Sequence, residues 1–311
     1  MGLAAAELLA DGGAAAESDD LFRCRSFLEA EGVTHTLRIE SPDRIALVPM
    51  IVRQVEGDER LDAVSPYAYP GGRVSGPGEA PAPSEVDWTA TGLVSAFGRE
   101  RIASEPWLAG ARERSKVLVH DPAIERRVRP RLAEQIRANE RDGWAVESIP
   151  GPASEAADRA AFAAAYEQTM RRANAGERYF FGSEYIDAVL SFERSWLLLG
   201  RRGGEVGAAA IAATSDSILH YYLGGTADAA RDASPFKNVV AAMLDLADEL
   251  ELRLNLGGGV QPGDGLETFK RGFANSELPF HTHEVVCDPK AYDELSAGRD
   301  AGDYFPAYRA S

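Results

Sequence analysis

The alternation of apolar and polar residues divides the second half of the chain into distinct helices and strands. Apolar residues recur at helical spacing over 154–175, 183–193 and 234–251, which predicts three helices, the last with Ser234 as its N-cap. Residues 195–225 consist of β-rich runs separated by two turns, which predicts three antiparallel strands. The series ends with a buried strand ("LRLNLGGG"), a short helix ("DGLETFKRGFA") and a strand over 278–288.

The first half has a more mixed pattern. Residues 34–69 alternate short β-rich runs with turn signals, which predicts a strand meander. Residues 66–87 are rich in Pro, Gly and Ala and predict an irregular loop, because proline lacks a backbone donor. The remaining pattern predicts a helix leading into a strand over 88–102, a strand over 116–121, and a basic helix over 123–143 that bends near Pro130.

A change in composition at 147–156 ("ESIPGPASEA") predicts a domain boundary near residue 150. The Ala-rich start of the chain has no basic segment and is interrupted by Glu7 and Asp11, so we do not expect a signal peptide there. The expected organisation is a flexible or partly helical extension over 1–20, an N-terminal domain over 21–150 that the tail 290–311 completes, and a C-terminal domain over 151–289.

Charge and cysteine content narrow the class of protein. The net charge of −16 argues against a general nucleic-acid binder. One basic segment, residues 99–141, holds 11 Lys and Arg against 7 Asp and Glu and is the candidate surface for a nucleic acid. Only two cysteines occur and no run of 18 apolar residues is present, so we expect a cytoplasmic protein without a membrane span or a disulfide framework.

Several stretches together resemble the Fem-type peptidyltransferases, the FemXAB group. They are "SPYAYPGG", "AAYEQTMRRANAGERYFF", "LHYYLGGT", "SPFKNVVAAMLDLA" and, most specifically, "LNLGGGVQPGDGLETFKRGF". The resemblance covers about residues 60 to 290 and implies an α/β (α+β) fold of two tandem GCN5-related N-acyltransferase (GNAT)-like domains. We do not expect the coiled-coil arm of some members, because the chain has no extended heptad segment.

The resemblance also implies an activity. Fem-type enzymes take an amino acid from aminoacyl-tRNA and add it to a peptide amine, which implies aminoacyl-tRNA as co-substrate, a peptide or nucleoside-peptide acceptor and no further cofactor. We expect a monomer that transfers a small amino acid. The acidic charge favours peptide-antibiotic assembly over branching of an anionic cell-wall precursor.

Two other functions remain open. One is an acyl-CoA-dependent N-acyltransferase on the same fold, which would hold the diphosphate of CoA on a Gly-rich loop before a helix. The corresponding connection here is "GGTADAARDASPFKN", where the glycines come early and Asp228 and Asp232 would repel phosphate. The other is a non-catalytic binding protein on a degenerate fold.

The catalytic candidates follow from the reaction that the resemblance implies. The enzyme must orient an amine and an ester and must stabilise an oxyanion. The resemblance assigns the oxyanion to Lys270 and the shape of the pocket to Phe269. Tyr221 and Tyr222 are neighbours on a strand and point to opposite faces, so one belongs to the core and the other lines the cleft; Tyr222 joins the catalytic set. The alternative for Lys270 is a solvated lysine that pairs with Glu267 or Asp264.

Further candidates bind rather than react. Gly257–Gly259 form either a phosphate cradle or, as we favour, a tight turn that places Lys270. Arginines on a helix bind carboxylate or phosphate in a fork, although a solvated face explains them equally well. The binding candidates are Tyr67, Tyr69, Arg99, Tyr166, Arg171, Arg172, Tyr221, Gly257, Gly258 and Asp264. His281, His283 and Cys287 supply too few ligands nearby for a metal, and we predict none.

Overall fold

The structure is a computed structural model that describes residues 3–259, 261 and 263–310. These residues form two compact units. Unit 1 contains residues 3–18, 22–115 and 279–310, and unit 2 contains residues 19–21 and the described part of 116–278. The division differs from the predicted domains, because residues 116–150 belong to unit 2 rather than to the first domain. The tail 290–310 lies in unit 1.

The described residues contain fourteen strands and seven α-helices. The strands are β1 (Ala4–Leu9), β2 (His35–Ser41), β3 (Arg44–Gln54), β4 (Leu61–Val64), β5 (Arg73–Ser75), β6 (Val86–Asp87), β7 (Leu93–Arg99), β8 (Arg112–His120), β9 (Ala145–Pro150), β10 (Ser195–Arg202), β11 (Glu205–Ser215), β12 (Ile218–Thr226), β13 (Arg253–Gly257) and β14 (Ser276–Val286). The helices are α1 (Arg25–Ala30), α2 (Pro130–Arg141), α3 (Ala156–Arg172), α4 (Ser183–Leu190), α5 (Phe236–Glu249), α6 (Gly265–Lys270) and α7 (Pro289–Ser296).

Unit 1 is built on a sheet with the strand order β6-β1-β2-β3-β4-β7-β14, and β5 also pairs with β3. The meander predicted over 34–69 is present as β2, β3 and β4. The expectation of a flexible extension over 1–20 is wrong, because β1 pairs antiparallel with β2 along five positions. Ala4 and Ala6 alternate into the core with 5% and 1% exposure, and this period of two is what a half-buried strand needs.

Unit 2 is built on a sheet with the order β8-β13-β12-β11-β10-β9. The predicted three-stranded series is present as β10, β11 and β12. Gly203 and Gly204, both with positive φ, connect β10 to β11, as a two-residue hairpin turn requires. The predicted boundary at 147–156 is instead β9, which pairs with β10 from Ala145 to Pro150, and this pairing places the segment inside unit 2.

One feature of this sheet creates an opening. β12 and β13 are parallel, but they pair only from Ile218 to His220 on β12 and from Arg253 to Asn255 on β13. Beyond those positions the two strands no longer pair, and Tyr221 and Tyr222 are the first residues of β12 after the paired stretch. A β-bulge lies at the same level, since the register with β11 passes from Tyr221 to Leu223 and skips Tyr222.

The helices of unit 2 cover the sheet with apolar faces. α5 buries its face at helical spacing in a core with residues of β10, β11 and β13. α3 approaches β12 so closely that a Cβ atom on Gly225 would lie 2.4 Å from the carbonyl oxygen of Ala165. That position therefore requires glycine. The residues of α5 that are buried are Asn238, Val239, Val240, Met243, Leu244, Leu246 and Ala247.

Three local predictions are corrected. The helix expected at the start of 88–102 is a single 3-10 turn, Thr89–Thr91, which Gly92 ends in the left-handed region before β7 begins. The basic helix begins at Pro130 rather than at residue 123, because proline fits the first turn but not a helix interior. Ser234 is not an N-cap; its φ is +51°, and Pro235 precedes the first helical residue.

No helix in the described ranges combines the length and the apolar character needed to cross a bilayer.

Candidate active site

Lys270 is the last residue of α6, a short helix whose N-terminus is capped by a side chain. The Asp264 carboxylate caps α6 by accepting hydrogen bonds from the backbone N–H groups of Glu267 at 2.7 Å and of Gln261 at 3.0 Å. Glu267 in turn pairs with Arg271 at 2.6 Å. Both carboxylates that were candidate partners of a solvated Lys270 are therefore engaged in organising the helix.

The Lys270 side chain is buried, with 9% of the residue exposed. Its Nζ atom donates a hydrogen bond to the carbonyl oxygen of Gly258 at 2.8 Å and lies 5.4 Å from the centroid of the Tyr221 ring. Desolvation lowers the pKa of Lys270 to about 8, and the charge of Asp264 opposes that shift. The alternative of a solvated surface lysine is wrong, because the ammonium is inside the unit.

Aromatic rings form the apolar side of this site. Tyr221 contacts Phe236 of α5 with ring centroids 5.6 Å apart, and Phe236 contacts Phe269 at 6.3 Å. Phe269 also packs edge-to-face on Phe273 at 5.3 Å. Phe269 thus orients α6 from the core, and the ring that lies beside the ammonium is Tyr221.

Tyr222 contacts a different element. Its hydroxyl hydrogen-bonds to the hydroxyl of Tyr185 on α4, whereas Tyr221 faces α5 and α6. The two neighbouring tyrosines therefore serve different helices, as the prediction of opposite faces implies. Tyr222 is half-buried and sits at the bulge beside the opening between β12 and β13.

The glycine turn is held by two polar residues that the sequence analysis missed. The Asn255 amide oxygen accepts from the Gly257 N–H at 2.7 Å, and its amide nitrogen lies 3.1 Å from His220 Nδ1. Both side chains are buried, at 1% and 2% exposure. Asn255 and His220 occupy the last paired positions of β13 and β12. The available signal was a pair of polar residues inside strands that are otherwise apolar.

The geometry of Gly257–Gly259 fits a turn. Gly257 has a φ of +75°, and a Cβ atom on Gly259 would lie 2.5 Å from an oxygen of Asp264. The carbonyl of Gly258 points to the Lys270 ammonium. The structure therefore brings together Lys270, Phe269, Tyr221, Gly257, Gly258 and Asp264.

The candidates on α3 make structural contacts. Tyr166 is 4% exposed, and its hydroxyl donates to the carbonyl of Tyr179 at 2.8 Å. Arg171 is exposed and pairs with Glu167 one turn earlier. Arg172 pairs with Asp228 and donates to the carbonyl of Thr226 at 2.7 Å. The Arg172 contacts connect α3 to the end of β12.

Three other candidates lie in unit 1. Arg99 donates to the carbonyl of Ser65 at 2.8 Å. Tyr69 packs edge-to-face on Phe280 with ring centroids 5.1 Å apart. Tyr67 is 40% exposed at the tip of the same Pro/Gly loop. Arg99 and Tyr69 shape the loop, and Tyr67 is its exposed aromatic.

The histidine and cysteine set of β14 has other contacts. His283 Nε2 lies 2.6 Å from the Glu100 carboxylate, and its ring packs on Trp107 at 4.3 Å. Burial raises the pKa of the Cys287 thiol to about 12, which disfavours the thiolate that a metal would need. Among the residues that the structure describes, no three His, Cys, Asp or Glu side chains are placed to hold a metal ion.

Comparison with known proteins finds a related domain in this part of the chain. Residues 126–271 match the family model described as an acetyltransferase (GNAT) domain. That segment contains the separated strands, the glycine turn and Lys270. No curated protein matches the chain in a sequence search.

Several solved structures share the fold over most of the chain. FemX has a TM-score of 0.60 at 12% identity, with 91% of this chain and 96% of FemX covered. The C-terminal domain (DUF2156) of a putative lysylphosphatidylglycerol synthetase from Agrobacterium fabrum has a TM-score of 0.57 at 14% identity, with 88% and 89% covered. L-PGS from Bacillus licheniformis has a TM-score of 0.55 at 12% identity, with 89% and 94% covered.

The mixed α/β class and the Fem-like form of the GCN5-related fold, both predicted from the sequence, are therefore confirmed. The chain has this fold, and its residues 126–271 match the model of the GNAT acetyltransferase domain.

Proposed function

We propose that the chain is an aminoacyl-tRNA-dependent aminoacyltransferase, which moves a small amino acid from charged tRNA to the free amine of a peptide-type acceptor. One observation carries the proposal: a buried lysine, Lys270, lies in the unit whose strands β12 and β13 separate. The resemblance to Fem-type enzymes assigns this lysine to the tetrahedral intermediate. Aminoacyl-tRNA is the co-substrate, and the proposed reaction needs no other cofactor.

The proposed step is an attack on an ester. The acceptor amine attacks the carbonyl carbon, a C–N bond forms, and the C–O bond to the ribose breaks. The proton that the amine loses ends on the departing ribose oxygen. Negative charge collects on the carbonyl oxygen in between, and the Lys270 ammonium stabilises it. Since the ester is already activated, no strong general base is required.

The pKa of Lys270 suits this role near neutral pH. With a pKa of about 8, about nine in ten Lys270 side chains carry the proton at pH 7. An acceptor α-amine also has a reference pKa of about 8, so about one in ten is neutral and nucleophilic at the same pH. The charged lysine and the neutral amine therefore coexist.

The residues around Lys270 divide the remaining work. Tyr221 lies beside the ammonium and forms an apolar wall with Phe236 and Phe269. A wall of this kind excludes water and strengthens the interaction of the cation with an oxyanion. Tyr222 and Tyr185 offer hydroxyl groups at the bulge, on the face away from α5, and we assign them to the acceptor.

The proposed acceptor is a peptide in antibiotic assembly, with branching of a cell-wall precursor as the second choice. The net charge of −16 disfavours an anionic, nucleotide-linked acceptor. The exposed Tyr67 in the loop of unit 1 is the proposed recognition residue on the acceptor side. We propose that the enzyme works as a monomer in the cytoplasm.

An acyl-CoA donor is the competing proposal, and one observation favours it. The sequence argument against CoA used Asp228 and Asp232, but Asp228 is paired with Arg172. Its negative charge is therefore partly neutralised. The connection between β12 and α5 repels a diphosphate less strongly than its composition predicts.

The test compares the two donors. The protein is incubated with total tRNA charged with radiolabelled amino acids and with peptide amines, with and without ribonuclease, and in parallel with acyl-CoA. We expect a labelled peptide that ribonuclease abolishes. A product that forms from acyl-CoA and is indifferent to ribonuclease would refute the tRNA donor. Lys270→Met protein that folds and keeps full turnover would remove the lysine from the mechanism.

A further inference from the structure

Most arginines of 126–141 differ from most other arginines among the described residues, because they have no acidic partner. Five of the six arginines in this segment make no ion pair with any carboxylate in the described residues, and all five are exposed. The segment holds six arginines against two glutamates, in a chain with a net charge of −16. The five are Arg127, Arg129, Arg131, Arg137 and Arg141.

The sixth arginine shows what the others lack. Arg126 contacts Asp245 at 2.5 Å and Asp248 at 3.4 Å on α5. An exposed arginine in an acidic protein finds such partners easily, and the absence of ion pairs for its five neighbours leaves their charge uncompensated. A surface of this kind attracts anions through Coulomb interactions that salt screens.

Lys237, at the start of α5, is a further cation near α2. Lys237 is half-buried, and desolvation together with the charge of Arg131 lowers its pKa. The two helices contact each other through a hydrogen bond of 2.8 Å between Asn139 and Asn238. Lys237 and Arg131 are therefore close enough for their positive charges to interact.

The same surface lies next to the helix of Lys270. The Arg129 N–H donates to the carbonyl of Gly272 at 2.8 Å, and its guanidinium reaches the carbonyl of Thr268 at 3.4 Å. Arg127 lines a depression of about 260 Å³ with Arg271, which is ion-paired with Glu267 and with Glu277 of the same depression. The cations therefore begin within a few residues of the lysine and continue along α2.

We propose that this cationic surface, formed by Arg127, Arg129, Arg131 and Lys237, binds the phosphodiester backbone of the RNA that carries the donor amino acid. The inference rests on the proposed function, in which the amino acid that reacts at Lys270 is esterified to tRNA. The ester end lies at Lys270, and the phosphates that precede it lie against the start of α2. The basic segment predicted over 99–141 is narrowed to its part in unit 2, because residues 99–115 belong to unit 1.

The shared chemistry is phosphate, and the diphosphate of an acyl-CoA is its other source. A diphosphate is short and occupies one site, whereas an RNA strand places one phosphate after another along a surface. The cations extend over several residues from Arg127 to Lys237, and this spread favours the strand. The experiment therefore includes both kinds of molecule.

The test uses an Arg127→Gln/Arg131→Gln double variant of the full chain. The control is an Arg25→Gln/Arg194→Gln double variant, which removes the same charge from two exposed arginines elsewhere. Binding of fluorescein-labelled total tRNA is measured by anisotropy from low to moderate salt, which requires no turnover. We expect the test variant to bind about tenfold more weakly at low salt and to lose about two units of salt slope, about one for each phosphate contact. The control keeps the wild-type slope.

A short donor separates this inference from the proposed function. Transfer is measured from charged tRNA and from a 3′-aminoacylated dinucleotide that lacks the other phosphates. We expect the test variant to show a higher KM for the tRNA alone, with kcat unchanged and with normal use of the dinucleotide. Equal tRNA affinity and an equal salt slope in the test and control variants would refute the proposed RNA-binding surface, even if transfer occurs. Loss of acyl-CoA use in the test variant would assign the cations to a diphosphate and also overturn it. An absence of transfer would refute the function while the anisotropy result still decides the surface.

Discussion

Lys270 is a buried cation with no carboxylate in ion-pair range among the described residues. A carbonyl oxygen and an aromatic ring are its nearest partners, and neither carries a full negative charge. Burial under these conditions disfavours the charged form and lowers the pKa, which is a perturbation typical of functional lysines. In the proposed mechanism, the negative charge that Lys270 meets is that of the oxyanion.

The pH dependence of transfer tests the charge state of Lys270. If the ammonium stabilises the oxyanion, activity rises while the acceptor amine loses its proton and falls above a pH of about 8, where Lys270 loses its own. Lys270→Arg keeps its charge in that range and should lose this alkaline decline, and Lys270→Met should reduce kcat about 100-fold. The measurement is kcat from pH 6 to 10 at saturating substrates. A wild-type rate that stays high above pH 8, as in Lys270→Arg, would contradict a role for the Lys270 ammonium.

At the scale of elements, the site depends on the place where two strands part. His220 and Asn255 form the last pair between β12 and β13, and their side chains contact each other. The Asn255 amide oxygen accepts a hydrogen bond from the N–H of Gly257, where the turn begins. The Gly258 carbonyl that follows receives the Lys270 hydrogen bond. The network therefore connects the end of the ladder to the orientation of the ammonium.

The Asn255→Leu substitution tests that connection. It removes both hydrogen bonds and leaves buried polar groups without partners, so we expect a loss of about 2 kcal/mol in the free energy of unfolding. It should also reduce kcat at least tenfold, because the turn no longer fixes the Gly258 carbonyl to which the Lys270 ammonium donates its hydrogen bond. Asn139→Leu is the matched control, since Asn139 is equally buried and bonds to Asn238 between α2 and α5. Denaturant unfolding and steady-state kinetics are the measurements. Equal kcat in the two variants would mean that Asn255 contributes to stability alone.

At the scale of the whole molecule, unit 1 is assembled from segments far apart in the chain. The C-terminal segment returns to unit 1, where Arg309 pairs with Asp62, a carboxylate with 0% exposure. The Tyr308 hydroxyl contacts the same carboxylate at 3.2 Å and Ser95 at 2.7 Å. The last residues thus satisfy a charge buried on β4.

Removal of residues 307–311 tests this role of the tail. Asp62 keeps its contact with Arg53 but loses its contacts with Tyr308 and Arg309. We expect the free energy of unfolding to fall by about 3 kcal/mol, as it does when other buried ion pairs lose one partner. Hydrogen exchange followed by peptide analysis should show faster exchange in β3 and β4, with β10 and β11 of unit 2 unchanged. Lys290→Ala, which changes an exposed residue of α7 outside the removed segment, is the control. Unchanged exchange in β3 and β4 after truncation would refute the role of the tail.

The sequence by itself determined most local structure of unit 2. The helical spacing in α3, α4 and α5, the turn glycines before β11 and the motif around Lys270 are short-range signals, and the structure agrees with each. The errors have a common physical cause. The Ala-rich start forms a strand because it pairs with β2, which is distant in the sequence. Residues 116–150 belong to unit 2 because β9 pairs with β10.

The tertiary structure alone decided the features that depend on distant residues. Burial of Lys270, the separation of β12 from β13, the Asn255–His220 contact and the uncompensated charge of Arg127 and Arg131 all depend on which elements meet. Sequence spacing carries propensity and periodicity, which are local, whereas desolvation and hydrogen-bond pairing are set by neighbours from elsewhere in the chain. The sequence therefore identified the lysine, and the fold supplied the burial that lowers its pKa.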